Sequence, residues 1–147
     1  MAWLKTRDIK DGVVTNVKLG DKLLHAKKFS YSFAVAGGGT GAYTLTDDAG
    51  NAQTLPESAV IISATSEVVI GVTSGGSATI KFGVLGDDDM FLALTAKGSF
   101  DAASKCVKME ASLPQKITAT KAVVMTVAVA ALTAGQLNVW VRYYEGD

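Results

Sequence analysis

One histidine, one cysteine and a run of three aspartates are nearly all that this sequence offers to covalent or metal chemistry. His25 sits in KLLHAKK, flanked by positive charge. A zincin helix needs two histidines, and catalytic zinc sites draw on several His or carboxylate ligands. A Ser-His-Asp triad needs only one, but the sequence has no G-x-S-x-G elbow. His25 therefore reads as a surface or arm-contact residue. Cys106 lies in SKCVKM, where polar and apolar residues alternate, and reads as a small strand residue rather than a nucleophile. As the sole cysteine it excludes an intrachain disulfide.

The run GDDDM, centred on Asp87, Asp88 and Asp89, is the best cation candidate. Adjacent carboxylates repel, and a hard cation with oxygen ligands would relieve them. The D-x-D-x-D-G spacing and distant Glu of a calcium loop are missing, so the expectation is a solvated turn. Asp47 and Asp48, followed by Gly50 and Asn51, also read as a turn. GGGTGA, Gly37 to Ala42, formally fits G-x-G-x-x-G/A, a pattern that brings a helix N-terminus to a pyrophosphate. Here YTLT follows as a strand, so the glycines predict a mobile hairpin loop. The aromatic run FSYSFAV beside Lys27 and Lys28 could serve as a base-stacking platform. Its strict alternation with small residues favours a core face instead. The sequence assigns no catalytic residue, no metal site and no cofactor, and the expected protein is not an enzyme.

The elements that would position these residues are strands. KFSYSFAVA puts Phe29, Tyr31, Phe33 and Val35 on one face. AYTLT resumes as a strand after the glycines, and SAVIISATSEVVIGV is rich in β-branched residues, with a break placed near Ser66-Glu67. ATIKFGV turns Ala78, Ile80, Phe82 and Val84 one way; MFLALT and CVKMEA follow as strands. QKITATKAVVMTVAVAAL reads as a strand pair or one bent strand, TAG as a turn, and QLNVWVRYY as the closing strand. There Leu137, Val139, Val141 and Tyr143 share one face, while Asn138, Trp140, Arg142 and Tyr144 share the other. About eight strands joined by turns predict an all-β fold, a two-sheet β-sandwich of the jelly-roll kind. The 147 residues suffice for one such domain, and 21 Ala, 16 Val and 14 Thr suit it.

Charge divides the chain. Residues 1–28 carry seven basic and three acidic residues, a net of +4, and the remainder a net of −4. This predicts an extended N-terminal arm, residues 1–28, on a sandwich of residues 29–147. The overall balance gives no general attraction to nucleic acid or membrane. MAWLKTRDIKD lacks the apolar segment of a secretory signal, and the run Ala122 to Leu132 is too short to cross a bilayer as a helix. Production in a cytoplasm is the expectation. On the closing strand, Trp140, Arg142 and Tyr144 would face outward together, and these residue types are enriched at interface hot spots.

The stretch IKDGVVTNVKLGD, Ile9 to Asp21, resembles connector segments of tailed-bacteriophage structural proteins through Asp11, Gly12, Val14, Thr15, Lys18 and Leu19. The segments LPESAVIISATSEVVIGV, TIKFGVLGDDDMFLAL and TAGQLNVWVRYYEGD are similar to those of phage β-sandwich proteins. The resemblance implies a capsid decoration (cement) protein: a virion component on the capsid surface, made in the host cytoplasm and contacting the major capsid protein. It further implies a homo-oligomer, as a trimer. The arm would then clamp a sister subunit or the shell, with Trp3, Lys5, Arg7, Lys18 and Leu19 as contacts. A phage fibre, spike or tail component with a receptor-binding sandwich head is the alternative. It would use the loops Gly37 to Gly41 and Gly86 to Asp89.

Overall fold

The computed structural model describes residues 24–146. The five arm contacts named above lie outside them. Ten strands are present among the described residues: β1 (Leu24–Ser32), β2 (Gly41–Thr44), β3 (Thr54–Leu55), β4 (Ala59–Ser74), β5 (Thr79–Val84), β6 (Asp87–Ala96), β7 (Cys106–Met109), β8 (Gln115–Lys116), β9 (Lys121–Ala128) and β10 (Leu132–Glu145). One short helix, α1 (Phe33–Ala36), follows β1, and a 3-10 turn spans Lys97–Phe100. The strands form two antiparallel sheets. The first has the order β1-β10-β4-β7, with β8 beside β4; the second has the order β2-β9-β5-β6, with β3 beside β9. The protein is an all-β sandwich.

Period-two alternation explains the interior. Phe29 and Tyr31 of β1, Leu137, Val139 and Val141 of β10, and Ile80, Phe82 and Val84 of β5 are all buried. Phe82 meets Phe100 edge to face at 5.9 Å between ring centroids, a preferred geometry for aromatic quadrupoles. Each such side chain contributes about 1.5–3 kcal/mol by leaving water.

Several sequence expectations are corrected. Leu24 to Ser32 pair with β10, so Lys27 and Lys28 belong to the sheet and not to an arm of residues 1–28. It also ends earlier, at Ser32: Phe33 to Ala36 turn as α1, leaving Val35 84% exposed rather than on the core face. Gly37, at φ 78°, ends that helix, and its N–H donates to the Phe33 carbonyl, a role for which glycine pays no Cβ penalty. The glycine loop is no hairpin, because β2 pairs with β9 rather than β1. Its Gly38 is buried, and a Cβ there would stand 2.5 Å from the Leu132 carbonyl oxygen. Close backbone approach, not freedom of movement, requires glycine at that point.

The 16-residue β4 runs unbroken through Ser66 and Glu67. Thr133, Ala134 and Gly135 form no turn but an irregular part of β10, where the register against β4 shifts. Such bulges bend a strand without ending it. The turn predicted at the aspartates lies at Leu85 and Gly86, and Asp87 already begins β6.

Candidate interaction surface

The register of the first sheet sets out its outer face. Lys28 of β1 stands opposite Trp140 of β10, which stands opposite Thr65 of β4, which stands opposite Lys108 of β7. The neighbouring rung on one side is Ser30–Asn138–Glu67–Cys106, and on the other Ala26–Arg142–Ser63. Beyond that, Leu24, Tyr144 and Val60 align. Trp140 is 41% and Tyr144 39% exposed, and Arg142 between them is exposed too. Trp, Tyr and Arg are residue types that interface hot spots favour.

A connected set of polar groups holds Trp140 in place. Its indole N–H donates to Glu67 Oε2 at 3.4 Å, and the Asn138 amide donates to the same oxygen at 3.3 Å. Lys28 Nζ lies 5.9 Å from the centroid of the indole ring, within range of a cation–π attraction. Lys28 also pairs with Asp48. The Ser30 hydroxyl is 3.0 Å from both Asp48 Oδ1 and Asn138 Oδ1 and gives its single proton to one of them. Lys28 and then Ser30 hold the Asp48 carboxyl below the usual carboxylate range. The tryptophan is thus presented in one orientation, which lowers the ordering cost of any contact made with it.

Arg142 differs from its neighbours. Among the described residues its guanidinium has no ion-pair or hydrogen-bond partner. The flanking Ala26 and Ser63 are small, which leaves room around it. Glu67 has the complementary surplus: both of its hydrogen bonds go to Oε2, and Oε1 accepts none among the described residues.

The other sequence candidates fall elsewhere. His25 stacks on Tyr143 at 5.3 Å between centroids and lies 3.9 Å from Glu145, inside the sheet rather than on an arm. Burial and then Glu145 push the Tyr143 phenol upward. Tyr31 is buried, on the core face that its alternation predicts, and donates to the Gly37 carbonyl at 2.6 Å; burial and then Tyr43 push its phenol up to about 12. Asp47 accepts from the backbone N–H groups of Ala49 and Asn51 and from the Asn51 and Gln53 side chains. This is an Asx-type turn that uses up the carboxylate.

The three aspartates of β6 separate. Asp88 pairs with Lys81 at 2.8 Å and accepts from Thr126 at 3.1 Å, and Lys81 holds it below the usual range. Asp87 is raised by burial and by Asp89 beside it. Among the described residues no three His, Cys, Asp or Glu side chains come together as a metal site would need. An open groove of about 430 Å³ beside the face runs between Lys28, Ser32, Val35, Asp47 and Val69.

The alternation of the closing strand puts Asn138, Trp140, Arg142 and Tyr144 on one face, but it does not reveal that Glu67, Asp48 and Ser30 join them there. The signal for Glu67 was present as a lone charge in an apolar run, but its meaning depends on the register of β4 against β10.

No protein-family model matches the sequence, and no curated protein does. Solved structures do. The chain is similar to one in the acidic stable capsid structure of Helicobacter pylori bacteriophage KHP30, with a TM-score of 0.60 and 21% identity, covering 84% of this chain and 88% of that one. It is similar to a chain of the cyanophage Pam1 capsid asymmetric unit, with a TM-score of 0.63 and 22% identity over 82% of this chain and 84% of that one. A chain of the capsid of Ralstonia phage GP4 gives a TM-score of 0.59 and 18% identity, with 86% of each covered. At these identities what the chain shares with all three is the fold.

Proposed function

We propose that this chain is a bacteriophage virion structural protein, and within that class a capsid decoration protein that stabilises the assembled shell. The observation that carries the reading is the sharing of one sandwich, over more than four-fifths of the chain, with chains from three phage capsid structures. The strand pairing supports a jelly roll: β1 pairs β10, β2 pairs β9, β4 pairs β7 and β5 pairs β6. This nesting is what a long hairpin wrapped across two sheets gives. No step of catalysis is part of the proposed role.

The mechanism is mechanical. Copies associate with one another, as the trimers that the resemblance implies, and bind the major capsid protein on the outside of the shell. The basic arm contributes through Trp3, Lys5, Arg7, Lys18 and Leu19, and the exposed face through Trp140, Arg142 and Tyr144. Surface that is buried only on assembly adds free energy to the shell and none to free subunits. Because Leu24 and the residues after it pair with β10, a truncation that tests the arm must stop before Leu24.

Copy number in purified particles tests the reading. A ratio to the major shell protein near one supports decoration. A few copies per particle would move the chain to a fibre, spike or tail, and its absence from particles would overturn the virion role.

A further inference from the structure

Arg142 and Glu67 Oε1, a donor and an acceptor without partners among the described residues, lie on rungs placed symmetrically about that of Trp140. The Arg142–Ser63 rung lies two residues to one side of the Trp140–Thr65 rung, and the Asn138–Glu67 rung two residues to the other. Two residues of strand are about 7 Å in each direction. A twofold axis lying across the strands, above the Trp140–Thr65 rung, therefore carries the Arg142 rung of one copy onto the Glu67 rung of another. We infer that the occupant of this face is a second copy of the same chain, packed sheet against sheet about that axis. The inference rests on reading the face as an interface and names what covers it.

The geometry meets the requirements of such a contact. A twofold interface must be self-complementary, each residue finding its counterpart twice. Here each Arg142 meets the Glu67 of the other copy, with β10 and β4 one strand spacing of about 4.8 Å apart. Trp140 faces Trp140 of the second copy at the centre, where aromatic pairs stack offset. The axis keeps the strands of the two sheets nearly aligned, a normal way for sheets to pack. The remaining cations of the Trp140 rung do not oppose the contact as bare charges, because Lys28 is paired with Asp48 and Lys108 with Glu110. Glu67 holds Trp140 and Asn138 through one oxygen and offers the other to the partner. A threefold contact elsewhere on the chain is compatible with this pairing.

The test is the mass of the full chain in solution across a concentration series, by sedimentation equilibrium. The expected mass is an even multiple of the chain mass. Arg142→Glu and Glu67→Arg should each weaken the pairing about tenfold or more and halve that mass, and the double variant should restore it. Glu67→Gln keeps an acceptor for Trp140 and Asn138 without the charge, and carries the same expectation should Glu67→Arg disturb the sheet. A monomer at every concentration, or a mass unmoved by both reversals, overturns the inference. The particle copy number is measured separately, so a failed virion role and a failed twofold contact give different results.

Discussion

The two sheets of the sandwich share one interior and present two unlike exteriors. Outside β2-β9-β5-β6, Ala42 faces Thr126, which faces Lys81; Thr79 faces Ala128; and Thr44 faces Val124, which faces Gly83. Apart from Lys81 these are small side chains, Val124 is buried, and Lys81 is consumed by Asp88, which Thr126 also bonds. Outside β1-β10-β4-β7 stand Trp140, Tyr144 and Arg142, whose guanidinium has no partner among the described residues. Alternation of residue type folds both sheets equally well. What separates them is the kind of group left outside: the second sheet exposes the aliphatic Leu94 of β6, whereas the first exposes aromatic rings and, among the described residues, a donor without a partner.

The largest effect should come where the sheets are alike. Phe82, fully buried in β5 against Phe100, should cost about 3–5 kcal/mol of stability when replaced by alanine, through lost burial and the cavity left behind. Leu137 of β10, equally buried, should lose about 2–5 kcal/mol as Leu137→Ala. Urea unfolding measures both. A large difference between the two sheets would mean that the core is not shared as described.

The next effect should separate the exteriors. Trp140→Ala should weaken association by about 2 kcal/mol or more, the range of an interface hot spot. Thr126→Ala on the opposite face should leave association unchanged. Occupancy on particles and solution mass report both. Equal effects of the two substitutions would remove the distinction between the faces.

How far this distinction could be read beforehand depends on whether strands had to be paired. The alternation in QLNVWVRYY puts Trp140, Arg142 and Tyr144 opposite Leu137, Val139 and Val141, because successive side chains of a strand point to opposite faces. The sandwich follows from eight or more such segments. Nothing in the sequence near Glu67 indicates that it will hold Trp140, since the two are 73 positions apart and meet only through register. Asp48 was legible as a turn residue, not as the partner of Lys28. Local errors had local causes: Phe33 and Val35 continue the alternation of β1, but the glycines after them favour a helical turn over further strand. Gly38 looked like freedom and is a tight fit.

A smaller effect concerns Ser66, which lies inside the first sheet between Ala64 and Val68. It is fully buried, and its hydroxyl has no hydrogen-bond partner among the described residues. An unsatisfied hydroxyl in an apolar layer costs about 1–3 kcal/mol of desolvation. Ser66→Ala removes that group and little volume, so stability should hold or rise by up to about 1 kcal/mol. A clear loss in urea unfolding would mean that the hydroxyl has a partner, and that this sheet packs less dry than the other.

The smallest effect is a response to acid, and it sharpens the comparison because one carboxylate marks each face. Asp48 is lowered by Lys28 and Ser30, and Asp88 by Lys81 and Thr126. A carboxyl whose folded pKa lies below its unfolded value contributes stability above the unfolded value, near 3.8, and loses it as pH falls through the folded one. Both faces should therefore loosen as pH drops below about 4. Asp87 has the opposite sign, raised by burial and by Asp89, so its protonation on acidification relieves a strain and offsets part of the loss. Carbon-detected titration of the aspartate carboxyls should show Asp48 and Asp88 titrating below Asp87. Only Asp48 is tied through Lys28 to Trp140, so indole fluorescence of a Trp3→Phe variant, which keeps Trp140 as its single tryptophan, should follow the Asp48 transition and ignore that of Asp88. If the indole follows both equally, the two faces are coupled through the core and the exposed tryptophan is not held by its own sheet alone.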